Sequence, residues 1–300
     1  MTSESIHINT THNLLLIDTS YYIFHRYYAT LKWYTYYIQR IQTKFVDSDE
    51  ETHNEVEAAN TVSNSIDYVN IHTNQEFIGF LQKHFVQDIE KLKKKWKTIS
   101  PNILFCKDCS RDSIWRNAHH NDYKGTRVVG KTFNGEIFPI FYNIITNSYK
   151  CVSLPCLEAD DVVYLTVNNI THTNIFTKEI IVITNDNDYL QMRRPGLHIY
   201  NLIGTGTNLE TRSKGTPEYD LLLKIISGDT SDNIQAIAPK IGPKTAAKIA
   251  NMSESERNAW IEAKGPECVA KYANNTRLVD FRNIPQELQS AFNDKYKFVY

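Results

Sequence analysis

The stretch Ser227–Ala250, SGDTSDNIQAIAPKIGPKTAAKIA, carries the most informative pattern in this sequence. Its first half holds two carboxylates, Asp229 and Asp232, which suit a divalent cation. Its second half holds the turn Ile241–Lys244 before a short helix rich in alanine and lysine, and backbone N–H groups at such a helix start suit a phosphate. The stretch therefore predicts a segment that binds a metal ion at one end and a nucleic-acid backbone at the other. An aspartate N-cap followed by an ordinary helical hairpin is the alternative that stays open.

Size and composition bound the class of protein. The chain has 300 residues, 41% of them hydrophobic, so it can form one large domain or two small ones around a sizeable core. A net charge of -1 argues against binding nucleic acid by charge alone, and argues less against a metallonuclease whose acids offset a basic face. The polar first 13 residues and the lack of a long apolar run predict an intracellular protein without a signal peptide or membrane span. The five cysteines are interpreted as reduced thiols, with a zinc site at the imperfectly spaced Cys106…Cys109 and Cys151…Cys156 as the alternative.

Short apolar runs alternate with helical patterns over the first two thirds of the chain. Predicted helices follow at Tyr21–Ile38, Glu76–Lys97 and Glu136–Thr146, and a further one opens at Glu158. This alternation predicts an α/β fold with a mostly parallel sheet. The predicted strands are Asn13–Asp18, Asn102–Asp108, Lys150–Leu154, Ile180–Thr184 and His198–Ile203.

The remaining segments divide the chain further. The polar, acidic stretch Gln42–Asn74 is predicted to be a surface insertion or disordered loop. The rings of Tyr21–Ile38 are predicted to be mostly core, with base stacking as the alternative. The lysine run Lys91–Lys97 fits a solvated helix end, and DNA contact is its alternative. From Pro217 onward the pattern is helical throughout.

Nine carboxylates are predicted to gather on one rim of the sheet. Four of them follow strands, three open a helix, and two begin the stretch quoted above. Ligands of open parallel sheets bind beyond the carboxyl ends of the strands, and so many anions require cations between them. An oxygen-only donor set of this size favours two Mg²⁺ or Mn²⁺ ions, which can clamp both oxygens of a phosphodiester undergoing displacement, with Lys124 adding positive charge. The nine are Asp18, Asp108, Glu158, Asp160, Asp161, Asp186, Asp188, Asp229 and Asp232.

Five ordered blocks resemble the flap endonuclease and 5′-nuclease superfamily. They are LLLIDTS, FCKD…YKGTR, CLEADDVV, ITNDNDYLQM and GDTSDNI…IGPKTAAKIA, and the ending Arg277–Asp280…Ile284-Pro285 is similar as well. The likeness covers roughly Leu14–Pro285 and is strongest toward the 5′-nuclease domain of bacterial DNA polymerase I and phage 5′-exonucleases. It implies a PIN-like α/β core at 1–215, interrupted by the insertion at about 42–75, and a helix–three-turn–helix region at 216–300.

The resemblance also implies the roles of individual residues. Asp18, Asp108, Glu158 and Asp160 would bind a first Mg²⁺. Asp161 would support either ion, and Asp186, Asp188, Asp229 and Asp232 would serve a second. Lys124 and Arg127 match the catalytic lysine and arginine of the family's YK-x-x-R block. Gly242, Lys244, Thr245 and Lys248 fall in the module that grips duplex DNA, whose turn in relatives also holds K⁺.

Two departures from the family bear on the substrate. Gln235–Lys240 stands where the family has a shorter glycine-proline-glycine run, at the expected K⁺ site. The connection from Arg127 to Glu158 is short for the arch that relatives build over the 5′ strand. A sliding clamp or polymerase is a weakly indicated partner, through Gln289…Phe292…Tyr296, and a monomer is expected.

The sequence thus predicts a Mg²⁺-dependent, structure-selective 5′ nuclease of DNA in replication, repair or recombination. One alternative is a catalytically inactive, DNA-junction-binding scaffold of the same fold. The other is a PIN-type ribonuclease, which would need few acids and no duplex-gripping module. Flap, nick, gap, junction and RNA–DNA hybrid all stay open as substrates, as do exonuclease and endonuclease modes.

Overall fold

The computed structural model describes residues 3–46, 66–127, 130, 132–172, 178–204 and 206–300. Five parallel strands form a central sheet in the order β4-β3-β2-β5-β6, and β1 and β7 form a separate parallel pair. The mostly parallel α/β fold predicted from the sequence is confirmed. The strands are β1 (Glu4–His7), β2 (Leu14–Asp18), β3 (Ile103–Cys106), β4 (Lys150–Val152), β5 (Ile180–Ile183), β6 (Leu197–Tyr200) and β7 (Tyr296–Val299).

Nine α-helices lie within the described residues. The first four flank the sheet, and the next four form a helical region beside its carboxyl-terminal edge. The helices are α1 (Thr19–Val46), α2 (Gln75–Trp96), α3 (Ile137–Thr146), α4 (Ala159–His172), α5 (Pro217–Ser227), α6 (Pro243–Ala250), α7 (Glu254–Ala263), α8 (Pro266–Val279) and α9 (Gln286–Lys295).

The sheet is buried on both faces, which is why its strands are continuous apolar runs rather than alternating ones. In β2, Leu15 and Ile17 pack with α1, α2 and α3, whereas Leu14 and Leu16 pack with α4. On the first face the predicted aromatic core is confirmed for Tyr22, Tyr27 and Tyr34, which are buried. Trp33 and Tyr36 of the same helix are 40% and 58% exposed. The result is a three-layer arrangement with α1–α3 on one side and α4 on the other.

The strand order reverses beside β2. The chain runs outward through β3 and β4, then returns to the other side of β2 for β5 and β6. The crevice between the carboxyl ends of β2 and β5 is therefore a topological switch point, where open α/β sheets bind their ligands. Asp18 ends β2 and Asp186 follows β5, so both residues reach this crevice.

The prediction of helix throughout the last third was wrong at its end. Tyr296–Val299 forms β7, which pairs in parallel with β1, beginning at Glu4 opposite Tyr296. Phe281 and Phe292 join the same core as α4. A boundary between 215 and 216 stays a prediction, and it would separate these residues from the core they pack in.

The prediction of an unstructured insertion over Gln42–Asn74 was wrong at both margins. Helix α1 continues to Val46, and Ile71 is 2% exposed in a short 3-10 turn before α2. The rest of that prediction, 47–65, lies outside the described residues.

Candidate active site

An acidic cleft of about 710 Å³ opens at the carboxyl ends of the strands. Seven of the nine predicted carboxylates line it, together with Lys124 and Arg127. The acids arrive on five separate segments of the chain, because β2, β3 and β5 end at the same edge, α4 starts there and α5 ends there. The seven are Asp18, Asp108, Glu158, Asp160, Asp186, Asp188 and Asp229.

Asp18 lines the cleft from the end of β2. Its Oδ1 accepts from the backbone N–H of Tyr21 at 3.1 Å, and its Oδ2 accepts from the hydroxyls of Thr184 at 3.1 Å and Tyr189 at 3.2 Å. Burial, then repulsion by the nearby Asp108 carboxylate, raises the pKa of Asp18 to about 7. This side chain is thus oriented by three donors while its negative charge is disfavoured, an arrangement typical of a cation ligand.

Asp108 lies next to Asp18 in the cleft and links it to the start of α4. Its Oδ1 accepts from the backbone N–H of Ala159 at 2.8 Å, and its Oδ2 accepts from the hydroxyl of Ser20. Because one bond comes from α1 and the other from α4, the carboxylate is fixed relative to both helices.

Glu158 and Asp160 bring two more carboxylates to the start of α4. Glu158 is 3% exposed and forms ion pairs with Lys124 and with Arg116. Burial alone would raise the pKa of Glu158, but these two cations hold it below its usual value. Burial raises the pKa of Asp160 well above its usual value, and Asp161 and Glu158 add to the shift against the opposing effect of Arg116.

Asp161 faces away from the cleft, toward a guanidinium that was not predicted to belong to the site. Arg116 is 1% exposed and binds Asp161 Oδ1 and Oδ2 at 2.8 and 2.9 Å. Trp115 Nε1 donates to Asp161 Oδ2 at 2.9 Å, and Arg116 Nε donates to the carbonyl of Leu278 at 2.8 Å. These contacts hold the Asp161 carboxylate against Arg116 and Trp115 at the start of α4. Arg116 lies in a stretch that also holds Arg111, Lys124 and Arg127, and nothing in the sequence indicated that this one cation would be buried.

The opposite wall of the cleft carries Asp186, Asp188 and Asp229. The Asp188 backbone N–H donates to Asp186 Oδ1 at 2.9 Å, which fixes the turn after β5. Lys224 of α5, which was also not predicted from the sequence, pairs with both Asp188 and Asp229. Burial acts to raise the pKa of Asp229, but Lys224 and the Ser231 hydrogen bonds lower it to about 2.

Asp232 is buried behind this wall. Its Oδ1 binds Arg127 Nη2 at 2.6 Å, and its Oδ2 lies 3.1 Å from the hydroxyl of Tyr123. Tyr123 also lies 3.1 Å from Glu158 Oε2, so this phenol connects the two walls of the cleft. The backbone N–H of Lys124 donates to the Asp232 carbonyl at 3.0 Å, which ties the YKGTR segment to the Ser227–Ala250 stretch.

Two groups of carboxylates have the spacing needed to hold a cation. One oxygen from each of Glu158, Asp160 and Asp161 lies within 4.8 Å of the others, and the same holds for Asp188, Asp229 and Asp232. These donor sets consist of hard oxygen ligands, which fit Mg²⁺ or Mn²⁺ better than zinc or copper. All five cysteines are free thiols, and Cys106 is buried in β3 and does not line the cleft.

The predicted duplex-gripping residues lie apart from the acidic cleft. Gly242, Lys244, Thr245 and Lys248 are exposed at the start and along one side of α6. The preceding segment bounds a shallow hollow of about 580 Å³, where Lys240 has a left-handed backbone with φ of 62°. These four exposed residues thus leave the start and one side of α6 open to a partner.

Two further expectations concern partners and membranes. Phe292 and Tyr296 are 0% and 2% exposed, so the segment that weakly suggested a sliding-clamp peptide has its aromatic side chains in the core. None of the helices in the described part of the chain combines the length and apolar character needed to cross a bilayer.

The sequence is similar to a nuclease family model and to two curated nucleases. A model of the 5′-3′ exonuclease N-terminal resolvase-like domain matches residues 13–220. A curated 5′-3′ exonuclease of Buchnera aphidicola subsp. Baizongia pistaciae is 32% identical over 181 residues, covering 57% of this chain and 57% of that protein. The match thus spans little more than half of that relative's length. A curated Ribonuclease H of Enterobacteria phage T4 is 23% identical over 232 residues, covering 68% of this chain and 72% of that protein.

Solved structures share the fold at low identity. A T5 protein crystallised with metal ions aligns with a TM-score of 0.58 and 16% identity, covering 93% of this chain and 96% of its own. A T5 flap endonuclease in a complex with DNA and metal ions aligns with a TM-score of 0.55 and 16% identity, with the same coverage of 93% and 96%. At 16% identity, these alignments show that the fold is shared and nothing further.

Proposed function

Because this chain belongs to the family of 5′-3′ exonucleases, whose N-terminal resolvase-like domain matches residues 13–220, we propose that it is a Mg²⁺-dependent, structure-selective 5′ nuclease of DNA. It would hydrolyse phosphodiester bonds at 5′ ends, flaps or branch points during replication, repair or recombination. The T5 flap endonuclease with DNA and metal ions, which has the same fold, supports DNA as the substrate.

The gathering of seven carboxylates around one cleft is the observation that carries this proposal. They come from segments as distant in sequence as Asp18 and Asp229, and the fold brings them to one sheet edge. So many acids in one cleft destabilise a protein unless cations neutralise them, because partial burial and mutual repulsion both penalise the charged form. Such a cost is expected where the site has a function.

We assign the first ion to Asp18, Asp108, Glu158 and Asp160, and the second to Asp186, Asp188, Asp229 and Asp232. Two divalent ions so placed would supply an activated water and stabilise the charge of the leaving oxygen. Mn²⁺ would substitute for Mg²⁺, since both accept hard oxygen ligands. Asp161 would orient the start of α4 through Arg116.

Lys124 and Arg127 are proposed to act on the phosphate that reacts. Lys124 Nζ pairs with Glu158, and Arg127 pairs with Asp232, so both cations are held at the rim of the cleft. A phosphodiester entering the cleft would meet these cations, which would then stabilise the added negative charge of the transition state. The acids that hold them fix their positions before the substrate arrives.

Duplex DNA is proposed to bind the surface at the start of α6. Gly242, Lys244, Thr245 and Lys248 would contact phosphates with backbone N–H groups and ammonium groups. A K⁺ ion in the preceding turn stays a proposal, since Gln235–Lys240 departs from the glycine-rich run of the family. With the cleft and this surface on one chain, a duplex and its 5′ end could be held together.

A panel of 5′-labelled substrates tests the function. Flaps, nicks, gaps and four-way junctions are incubated with Mg²⁺ and then with a chelator, and product lengths are read on a denaturing gel. An RNA–DNA hybrid joins the panel because the phage T4 relative is named Ribonuclease H. Cleavage near the 5′ end or branch that stops with chelator is expected. A protein that binds junctions but cleaves none of the substrates would be a scaffold, and one that cleaves RNA alone would be a ribonuclease.

A further inference from the structure

Lys224 forms ion pairs with two acids of the cleft, Asp188 and Asp229. Its Nζ forms an ion pair with Asp188 Oδ1 and lies 2.6 Å from Asp229 Oδ2. The three side chains are only 20%, 10% and 17% exposed, so the contacts are shielded from solvent. An ammonium therefore lies between Asp188 and Asp229, two of the three acids whose carboxylates have the spacing to hold a cation, the third being Asp232.

A divalent ion and this ammonium would compete for the same two carboxylates, Asp188 and Asp229. The ligand oxygens of Asp188, Asp229 and Asp232 lie within 4.8 Å of one another, which leaves room for a single cation among them. Asp232 has other partners in Arg127 and Tyr123, so Lys224 is the cation that neutralises the other two acids. An ion that coordinates Asp188 and Asp229 must first break both contacts of Lys224.

We propose that Lys224 is an internal cation that the second divalent ion must displace, and that the released ammonium then pairs with a phosphate of the DNA. This inference rests on the proposed function, because it takes the acidic wall to be the second ion site. Lys224 lines the cleft together with Lys124, so a phosphate in the cleft lies within reach of its flexible stem. The DNA would thus replace the two carboxylates as the partner of this ammonium.

The consequence is coupling between ion and substrate. If DNA provides the new partner for Lys224, it raises the affinity of the second ion, and the ion raises the affinity for DNA by the same factor. Without DNA, the second site would bind its ion weakly, because the Lys224 ammonium stays paired with Asp188 and Asp229. Lys224 would therefore keep the chain from assembling its full metal site until a substrate is in place.

Calorimetric titration with Mn²⁺ in the absence of DNA tests the competition. The variant Lys224→Met keeps most of the stem and removes the charge, and we expect its weaker ion to bind about tenfold more tightly than in the wild type. Lys224→Arg should keep the wild-type affinity, because a guanidinium can make the same pairs. Lys214→Met is the matched control, since Lys214 lines the same cleft and has no ion pair among the described residues.

The coupling is measured by repeating the titration with a 5′-flap duplex whose junction linkages are cleavage-resistant phosphorothioates. The duplex should raise the affinity for the weaker-binding ion in the wild type and change that affinity little in Lys224→Met. Equal affinities of wild type and Lys224→Met, or an equal gain in Lys214→Met, would overturn the inference. Saturable binding in neither protein would instead overturn the proposed function.

A measurement on the wild type covers the case in which the variant does not fold. Acetylation of Lys224 by an N-hydroxysuccinimide ester is followed by mass spectrometry with and without Mg²⁺. We expect Mg²⁺ to speed the modification at Lys224, because the amine leaves its two carboxylates, and to leave the exposed Lys94 unchanged. An unchanged rate at Lys224, with saturable ion binding in the same sample, would overturn the inference.

Discussion

The guanidinium of Arg116 binds the carboxylate of Asp161 through two hydrogen bonds, from Nη2 to Oδ1 at 2.8 Å and from Nη1 to Oδ2 at 2.9 Å. Both side chains are almost fully buried, at 1% and 0% exposure. A bidentate pair of this kind has a fixed geometry. Arg116 also donates to Glu158, so the pair helps to position a carboxylate that lines the cleft. The start of α4 is therefore held from inside the protein.

Removing one member of this pair should destabilise the protein strongly. Arg116→Met leaves the buried charge of Asp161 without its partner, and we expect the free energy of unfolding to fall by about 3–5 kcal/mol. Urea denaturation followed by circular dichroism measures the change. In the double variant Arg116→Met/Asp161→Asn the buried charge is gone too, so its destabilisation should be clearly smaller than the sum for the two single variants. Additive effects would show that the two side chains do not stabilise each other.

Neutralising a proposed ion ligand should separate cleavage from binding. Asp160→Asn or Asp186→Asn removes a charge from the cleft, and we expect cleavage of a 5′-flap substrate to fall by about 100-fold or more while DNA binding stays measurable. Single-turnover assays and fluorescence anisotropy provide the two readouts. Asp112→Asn is the matched control, because Asp112 is exposed and lies outside the cleft. Full cleavage by both cleft variants would contradict the assignment of two ions.

The pKa of Asp18 predicts how stability depends on pH without divalent ions. Burial and repulsion by Asp108 raise this pKa from 3.8 to about 7. Between those values the folded protein retains a proton that the unfolded chain releases, so rising pH lowers the free energy of unfolding across this window. We expect Asp18→Asn to be free of this decline, so that its stability relative to the wild type increases from pH 4.5 to 7.5.

Urea denaturation in EDTA across this pH range measures the effect. Adding Mg²⁺ should stabilise the wild type more at pH 7.5 than at pH 5, because ligand carboxylates must lose their protons to coordinate an ion. Asp112→Asn again serves as the control and should follow the wild-type curve. Parallel curves for Asp18→Asn and the wild type would show that Asp18 does not titrate in this window.

Much of the fold could be predicted because three strands of the central sheet, β2, β3 and β5, are short apolar runs with an acid at or soon after their end. The sequence placed Asp18 at the tip of β2 and Asp108 just after β3, and parallel strands then bring such ends to one edge. The strand β7 was missed because its partner β1 lies at the other end of the chain and neither has a distinctive pattern. Pairing over such a distance depends on how the helices between them pack.

The cations of the site were harder to predict than its acids. Arg116 and Lys224 resemble surface residues in the sequence, since one lies in a basic connection and the other in an amphipathic helix. Only the fold places Arg116 against Asp161 and Lys224 between Asp188 and Asp229. The position of an acid that follows a strand can be predicted from the topology of the sheet. The position of its cationic partner depends on how distant segments pack together.

The exposed lysines of α6 should bind duplex DNA through phosphates. Lys244→Ala/Lys248→Ala removes one charge from the first turn and one from the last turn of α6, and we expect weaker binding of a nicked duplex that is uniform across sequences. The slope of log affinity against log salt should fall by about one for each phosphate that the variant no longer neutralises. Lys94→Ala is the matched control, since Lys94 is also exposed but belongs to the lysine run at the end of α2. If Lys94→Ala lowers the slope and the α6 variant does not, the duplex lies along α2 instead, as the alternative interpretation of Lys91–Lys97 requires.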